Sequence, residues 1–140
     1  MRVYTRDMES PCHCAVLRAA TRRLGAAYDA ALAPFGITIA QFSLMRTIAR
    51  RQSVSLTDLG KALELDRSTV GRNVQVLERA RLVATGRGKS DQREAIVTLT
   101  AQGQQILKKA APAWETCQAE IERRLGKARL GALRDVLRDI

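Results

Sequence analysis

The chain has 140 residues, of which 46% are hydrophobic and 4% aromatic, and its net charge is +10. This length fits one domain with a core of its own, and the lack of any apolar run of about 18 residues argues against a transmembrane helix and a membrane partner. The opening segment MRVYTRDMESP lacks the apolar stretch of a secretory signal. Three cysteines do not indicate a disulfide framework, so the expected location is cytoplasmic.

The N-terminal part of the chain predicts a first helix. Ser10 followed by Pro11 is typical of an N-cap and a first helical residue. Pro34 and Gly36 are expected to end this helix. Its larger apolar residues recur at helical spacing, and they are Leu17, Leu24, Tyr28, Ala31, Leu32 and Phe35.

The middle of the chain predicts three helices that begin at side-chain caps. Thr38 caps a helix over 38–51, Ser55 caps a short helix that closes at LEL, and Asp66 caps the next. Two short helices joined by a tight turn, the second polar on its outer side, indicate a helix-turn-helix. The positions expected to face the core are Phe42, Met45 and Ile48, then Leu56, Leu59 and Leu63, then Val70, Val74 and Leu77.

The last part of the chain predicts a hairpin and two helices. Two alternating segments with β-branched residues, LVATGR (82–87) and EAIVTLT (94–100), flank GKSDQR. This pattern predicts a β-hairpin. Helices follow over 101–125, with Pro112 expected to bend it, and over 127–140. The fold class is therefore mainly α with a small β-hairpin wing, a winged helix. The apolar stripes of the terminal helices exceed what this small central module can cover, so we predict a homodimer.

Positive charge is concentrated in the predicted winged helix. Residues 46–93 carry eleven Lys and Arg against five acids, which suits a polyanion such as double-stranded DNA, although a solvated basic surface is an alternative. Arg can pair with guanine, and Asn or Gln with adenine, in the major groove. The outward residues of the second helix of the pair that fit this role are Arg67, Ser68, Thr69, Arg72, Asn73 and Gln75. A cationic hairpin tip suits the minor groove, and its candidates are Arg87, Lys89 and Arg93.

From about Cys12 to its end, the chain resembles the MarR family of bacterial winged-helix repressors. The resemblance is carried by ITIAQFSLMRTIARRQSVSLTDLGKALELDRSTVGRNVQVLERARLV and GKSDQREAIVTLTAQG, and most specifically by the Asp-x-Arg pattern at 91–93. It implies that Arg93 enters the minor groove and that Asp91 steadies the wing through an ion pair. It further implies one domain over 1–140, with a DNA-binding region at 38–100 and dimerisation helices at 10–36 and 101–140. A near-palindromic operator with half-sites about one helical turn apart follows from such a dimer.

The stretch SPCHC holds two of the three cysteines and the only histidine. Side chains two apart on a helix do not face one another, which disfavours a disulfide or a metal clip between Cys12 and Cys14. A helix N-terminus stabilises a thiolate, which peroxides oxidise to a sulfenic acid that a second cysteine can capture. Cys117 is the candidate for that second cysteine. A metal site that includes Cys117, and cysteines as small buried residues, are the alternatives.

The segment CAVLRAATRRLGAAYDAAL is similar to the start of the organic-hydroperoxide sensors of the MarR family. This resemblance implies that Cys14 is the peroxide-reactive cysteine and that Tyr28 hydrogen-bonds it. It places Cys117 near the resolving cysteine that two-cysteine members supply from the partner subunit. Arg18 departs from the pattern, because those sensors have another tyrosine there.

The predicted function is a dimeric, sequence-specific transcriptional repressor that is released when an N-terminal cysteine is oxidised or modified, with no catalytic activity, cofactor or metal. The first alternative is release by a small aromatic acid that enters the cleft between the dimer helices and the DNA-reading helices. The others are a metal-responsive regulator, a thiol peroxidase acting at Cys14, and an architectural DNA protein without sequence preference.

Overall fold

The computed structural model describes residues 11–87 and 94–140. Within them the chain forms six α-helices, one 3-10 turn and three strands. In chain order these are α1 (His13–Leu32), the 3-10 turn (Ala33–Phe35), α2 (Ile39–Arg51), β1 (Ser53–Ser55), α3 (Leu56–Leu63), α4 (Arg67–Arg79), β2 (Val83–Arg87), β3 (Ala95–Leu99), α5 (Ala101–Leu125) and α6 (Lys127–Asp139). The predicted fold class, a mainly α winged helix, is confirmed.

The three predicted side-chain caps are present. Thr38 accepts a hydrogen bond from the Gln41 backbone N–H while the Gln41 side chain accepts from the Thr38 N–H, which completes a capping box. Ser55 accepts from the backbone N–H of Asp58 at 3.0 Å and so begins α3. These bonds satisfy backbone donors that the first turn of a helix leaves unpaired, so the starts of α2 and α3 are fixed by local sequence.

The start of α1 differs from the prediction. Pro11 lies outside the helix, and Cys12, with φ −63° and ψ 119°, is the N-cap whose side chain makes no capping hydrogen bond. The Cys12 carbonyl accepts the first helical hydrogen bond, from Val16 N at 3.0 Å. Proline is tolerated before a helix as well as at its first position, so the sequence does not separate these two starts. Ser10, the predicted cap, lies outside the described residues.

The sheet contains a strand that the sequence analysis missed. Its order is β1-β3-β2, both pairings antiparallel, and Val97 lies opposite Val54 on one side and Thr85 on the other. The hairpin of β2 and β3 was predicted, whereas β1 has three residues. A strand this short shows no alternation that a sequence pattern can detect, and it exists because β3 offers a free edge next to it.

The core lies under the helix-turn-helix, between α2, α3, α4 and the sheet. The six positions predicted to be buried in α2 and α4 are all within it. Leu44 was not predicted but is fully buried, because α2 is enclosed on more than one side. The core residues are Leu32, Ile37, Phe42, Leu44, Met45, Ile48, Val54, Leu59, Val70, Val74, Leu77, Leu82, Val83, Val97 and Ala110.

The helix α5 joins the terminal helices to the winged helix and is continuous through Pro112. Thr100 caps it by accepting from Gly103 N at 3.0 Å, and the Thr100 hydroxyl donates to the Arg81 carbonyl at 2.7 Å. The Thr100 N–H also donates to the Leu82 carbonyl at 3.1 Å. The start of α5 is thereby held against the segment between α4 and β2.

The terminal helices leave apolar side chains uncovered. Leu17 of the predicted stripe is exposed, and no residue of α6 is buried. In the described part of the chain, no single helix is long and apolar enough to cross a membrane, while α1 with the 3-10 turn and α2 pass that test only as a pair bent by 72°.

Candidate nucleic-acid interface and cysteine sites

Asp66 organises the start of α4. Its Oδ1 accepts from the Thr69 backbone N–H at 2.7 Å and from the Ser68 hydroxyl at 2.8 Å. These hydrogen bonds, first that from the Thr69 backbone and then that from Ser68, lower the pKa of Asp66 to about 2. The cap is therefore ionised at neutral pH, and it fixes the first turn of the helix whose outer face carries the predicted DNA contacts.

The outer face of α4 is polar and cationic. Val70, Val74 and Leu77 fix the orientation of the helix because all three are buried. The predicted contact residues lie away from them: Arg67, Ser68, Arg72 and Gln75 are exposed, while Thr69 and Asn73 are half-buried. An α-helix with its side chains is about 10–12 Å in diameter, which suits the width of the major groove. One outward residue was missed, since Val76 is exposed although it is apolar.

The hairpin of β2 and β3 stands beside α4. The Thr85 hydroxyl of β2 donates to Glu78 of α4 at 2.8 Å, and Arg87, exposed at the end of β2, lies opposite Ala95. The strand that ends at Arg87 therefore packs beside α4. The other hairpin residues of the prediction, Lys89, Asp91 and Arg93, lie outside the described residues.

The two N-terminal cysteines lie at the start of α1 and are exposed. Cys12 is the N-cap and Cys14 the second helical residue. The alternative of small buried residues therefore does not hold within one chain, where neither α5 nor α6 covers this end of α1. Their sulfur atoms are accessible to small reagents in the single chain.

Cys117 and Tyr28 form a separate site. The Tyr28 hydroxyl donates to the side-chain oxygen of Gln118. Burial, then the nearby Cys117 and Glu122, raise the pKa of Tyr28, and burial raises the pKa of the Cys117 thiol. Cys14 lies fourteen residues before Tyr28 on α1, about 21 Å away at the rise of a helix. A hydrogen bond between Tyr28 and Cys14 therefore does not form within one chain, because one straight helix holds the two residues apart. A hydrogen bond between these residues of two different copies stays a prediction.

The separation between Cys14 and the site of Tyr28 and Cys117 also limits which disulfides and metal sites one chain can form. A disulfide needs Cα atoms within about 7 Å, so Cys14 and Cys117 of one chain do not meet that condition. Across residues 11–87 and 94–140, no three His, Cys, Asp or Glu side chains come together as a possible metal site. The metal alternative that joined Cys12 and Cys14 to Cys117 has no support within one chain.

A contact between α2 and α5 was not predicted. The Trp114 ring stacks on Phe42 with centroids 5.6 Å apart, and the Arg46 guanidinium lies 4.4 Å from the centroid of the Trp114 ring. This cation–π contact connects α5, which leads to the terminal helix α6, with α2, a core helix of the winged helix. The single tryptophan of the chain was the only signal in the sequence for such a junction.

Comparison with known proteins identifies the family. A family model described as MarR family matches residues 35–94. The HTH-type transcriptional regulator YhbI of Bacillus subtilis (strain 168) is 30% identical over 103 residues, which cover 74% of this chain and 67% of YhbI. The chain belongs to the MarR family. In this MarR-family chain the family model covers α2 to β2, which is the helix-turn-helix and the first strand of the hairpin.

Two further comparisons bear on this MarR-family chain. The structure of the Mycobacterium tuberculosis transcriptional regulator MosR in complex with DNA is 35% identical, has a TM-score of 0.78, and is matched over 91% of this chain and 99% of that one. The organic hydroperoxide resistance transcriptional regulator of Bacillus subtilis (strain 168) is 25% identical over 97 residues, 69% of this chain and 66% of the relative.

Proposed function

We propose that this chain is a cytoplasmic, dimeric repressor that binds a near-palindromic operator in double-stranded DNA and is released when Cys14 is oxidised or modified. The observation that carries DNA binding is the outer face of α4, which is polar and cationic and lies beside the strand β2 that ends at Arg87. The net charge of +10 supports a polyanionic partner. The similar MosR was crystallised with DNA.

Each part of the winged helix has a role in this proposal. The outer face of α4 enters the major groove, where side chains distinguish the base pairs by their hydrogen-bonding edges. The hairpin lies over the adjacent minor groove, with Asp91 steadying it. The major-groove residues are Arg67, Ser68, Thr69, Arg72, Asn73 and Gln75, and those at the minor groove are Arg87, Lys89 and Arg93.

Dimerisation through the terminal helices is supported by their uncovered apolar side chains. Leu137 of α6 is 64% exposed, and Ile140, which follows α6, is 91% exposed. Val16 and Leu17 of α1 and Leu133 and Val136 of α6 are exposed as well. Large exposed apolar patches mark association sites, and a second copy would cover these side chains. The two α4 helices of the dimer would then be held at a fixed separation, as half-sites one turn of DNA apart require.

The release step uses the accessibility of the N-terminal thiols. A Cys14 thiolate attacks the peroxide oxygen of an organic hydroperoxide, which gives a sulfenic acid on Cys14 and an alcohol after protonation. A second thiol then displaces the hydroxyl as water and forms a disulfide. Cys117 of a second copy is one candidate for that thiol. Cys12 is the other, because it is the N-cap with an extended backbone and so is not held at helical spacing from Cys14. Either bond would displace the start of α1. That displacement would change the separation of the two α4 helices in the dimer.

The test measures the affinity of the protein for the DNA upstream of its own gene (the upstream region). The affinity is measured before and after one equivalent of cumene hydroperoxide, and again after a thiol reductant is added. We expect binding to be lost on oxidation and restored on reduction in wild type, and to resist the oxidant in Cys14→Ser. Cys117→Ser is the second variant, which separates a disulfide with Cys117 from one with Cys12. Tight binding of wild type that ignores the oxidant would contradict redox release. Equal affinity for the upstream region and for random DNA would contradict a sequence-specific repressor.

The Arg46–Trp114 contact favours one second candidate, release by a small aromatic carboxylate. A guanidinium beside an indole ring, at the junction of α2 and α5, offers both charge and an aromatic surface to such a ligand. Benzoate or salicylate would then release DNA equally from wild type and from Cys14→Ser, and Trp114 fluorescence would change on binding. Absence of both effects would remove this candidate.

A further inference from the structure

Val76 is an exposed apolar side chain outside the terminal helices, so dimerisation through those helices does not account for its exposure. Among the described residues, the large hydrophobic side chains that are exposed lie mostly on α1 and α6. Val76 is an exception, because it is 48% exposed and belongs to α4. Leu65, the other exception, lies in the turn between α3 and α4.

Helical spacing places Val76 on the outer side of α4. It follows Arg72 by four positions and Asn73 by three, so these side chains are surface neighbours on one face. Glu78, which contacts β2 through Thr85, points to another side of the helix. Val76 is therefore not covered by the hairpin, and it continues the face that carries Arg72 and Asn73.

An apolar group on a groove-reading face has one natural partner among the base edges. In the major groove, adenine, guanine and cytosine present hydrogen-bonding atoms, whereas thymine also presents its C5 methyl group. Building on the proposed function, we propose that Val76 packs against a thymine methyl in each half-site and so selects thymine at one position of the operator.

The helix geometry restricts that position. One helical turn advances by 5.4 Å, and one base pair by about 3.4 Å, so Val76 reaches a base about one to two pairs from the one read by Arg72 or Asn73. The Asn73 amide is suited to adenine and the Arg72 guanidinium to guanine. The thymine is thus expected next to, or one pair away from, a purine contacted by these two residues.

The experiment replaces each thymine of the half-site in turn by deoxyuridine, which keeps every hydrogen-bonding atom and removes only the methyl group. Affinities are measured for wild type and Val76→Ala, with the upstream region as the parent DNA. At one position we expect wild type to lose about fourfold in affinity per half-site, the effect of uncovering one methyl group. Val76→Ala should bind the thymine and deoxyuridine operators equally at that position.

The matched control is Leu65→Ala, which truncates the other exposed apolar side chain of the helix-turn-helix and should keep the deoxyuridine effect of wild type. The proposal is overturned if wild type binds the operator specifically and no deoxyuridine weakens it, or if Val76→Ala keeps the same sensitivity. Both of those results leave the proposed function standing. Loss of all preference for the upstream region over random DNA would instead refute the proposed function itself.

Discussion

The contact between Gly103 and the Leu82 carbonyl predicts a large effect of one methyl group on stability. A Cβ added at Gly103 would lie 2.0 Å from the Leu82 oxygen and 3.0 Å from its carbonyl carbon. Relief of this clash requires the start of α5 to move away from Leu82 by an ångström or more. The same movement would stretch the Thr100 hydrogen bonds to Leu82 and Arg81, which are 3.1 and 2.7 Å long.

The magnitude for Gly103→Ala follows from these two costs. Overpacking against a rigid neighbour costs about 1–3 kcal/mol, and each weakened hydrogen bond costs about 1 kcal/mol. Together these costs come to about 3–5 kcal/mol, and the higher helix propensity of Ala returns about 1 kcal/mol. We therefore expect the free energy of unfolding to fall by about 2–4 kcal/mol, which lowers Tm by roughly 6–16 °C.

The assay is urea and thermal unfolding followed by circular dichroism, at one protein concentration because a dimer gains stability with concentration. The matched control is Gly71→Ala in α4, where an added Cβ meets nothing within 4 Å. That variant should be as stable as wild type or more stable by up to about 1 kcal/mol. A Gly103→Ala protein with the unfolding midpoint of wild type would refute the close approach of α5 to Leu82.

Two further predictions concern the helix caps. For Asp66→Asn, the lowered pKa of Asp66 means that the ionised cap stabilises the fold above pH 3.8 and that this contribution disappears as the pH falls to about 2. The urea midpoint of wild type should therefore exceed that of Asp66→Asn at pH 7, with the gap narrowing below pH 3.8 and nearly closed at pH 2. A constant gap would contradict the capping role. Thr38→Ala should lower the free energy of unfolding by about 1 kcal/mol through loss of the capping box, whereas Thr116→Ala, an exposed site inside α5, should not lower it.

The helix-turn-helix was predictable because its signals are local. Side-chain oxygens at Thr38, Ser55 and Asp66 satisfy backbone donors within three residues, and the burial of Val70, Val74 and Leu77 follows from helical spacing alone. The outer face of α4, and with it the candidate DNA contacts, is simply the complement of that buried stripe. The same spacing leaves Val76 outside the buried stripe, but only side chains that hydrogen-bond to bases were candidates for contacts, so Val76 was overlooked.

The sequence by itself determined the order and type of the helices, the hairpin, and the polar face of α4, since each depends on residues within about one turn of each other. Tertiary structure alone decided the strand at Ser53–Ser55, which exists only through pairing with β3. It also decided that Tyr28 lies beside Gln118 rather than Cys14, and that α5 approaches Leu82 at a glycine. These features join residues tens of positions apart, and no local periodicity encodes which distant backbone or side chain will occupy the adjoining space.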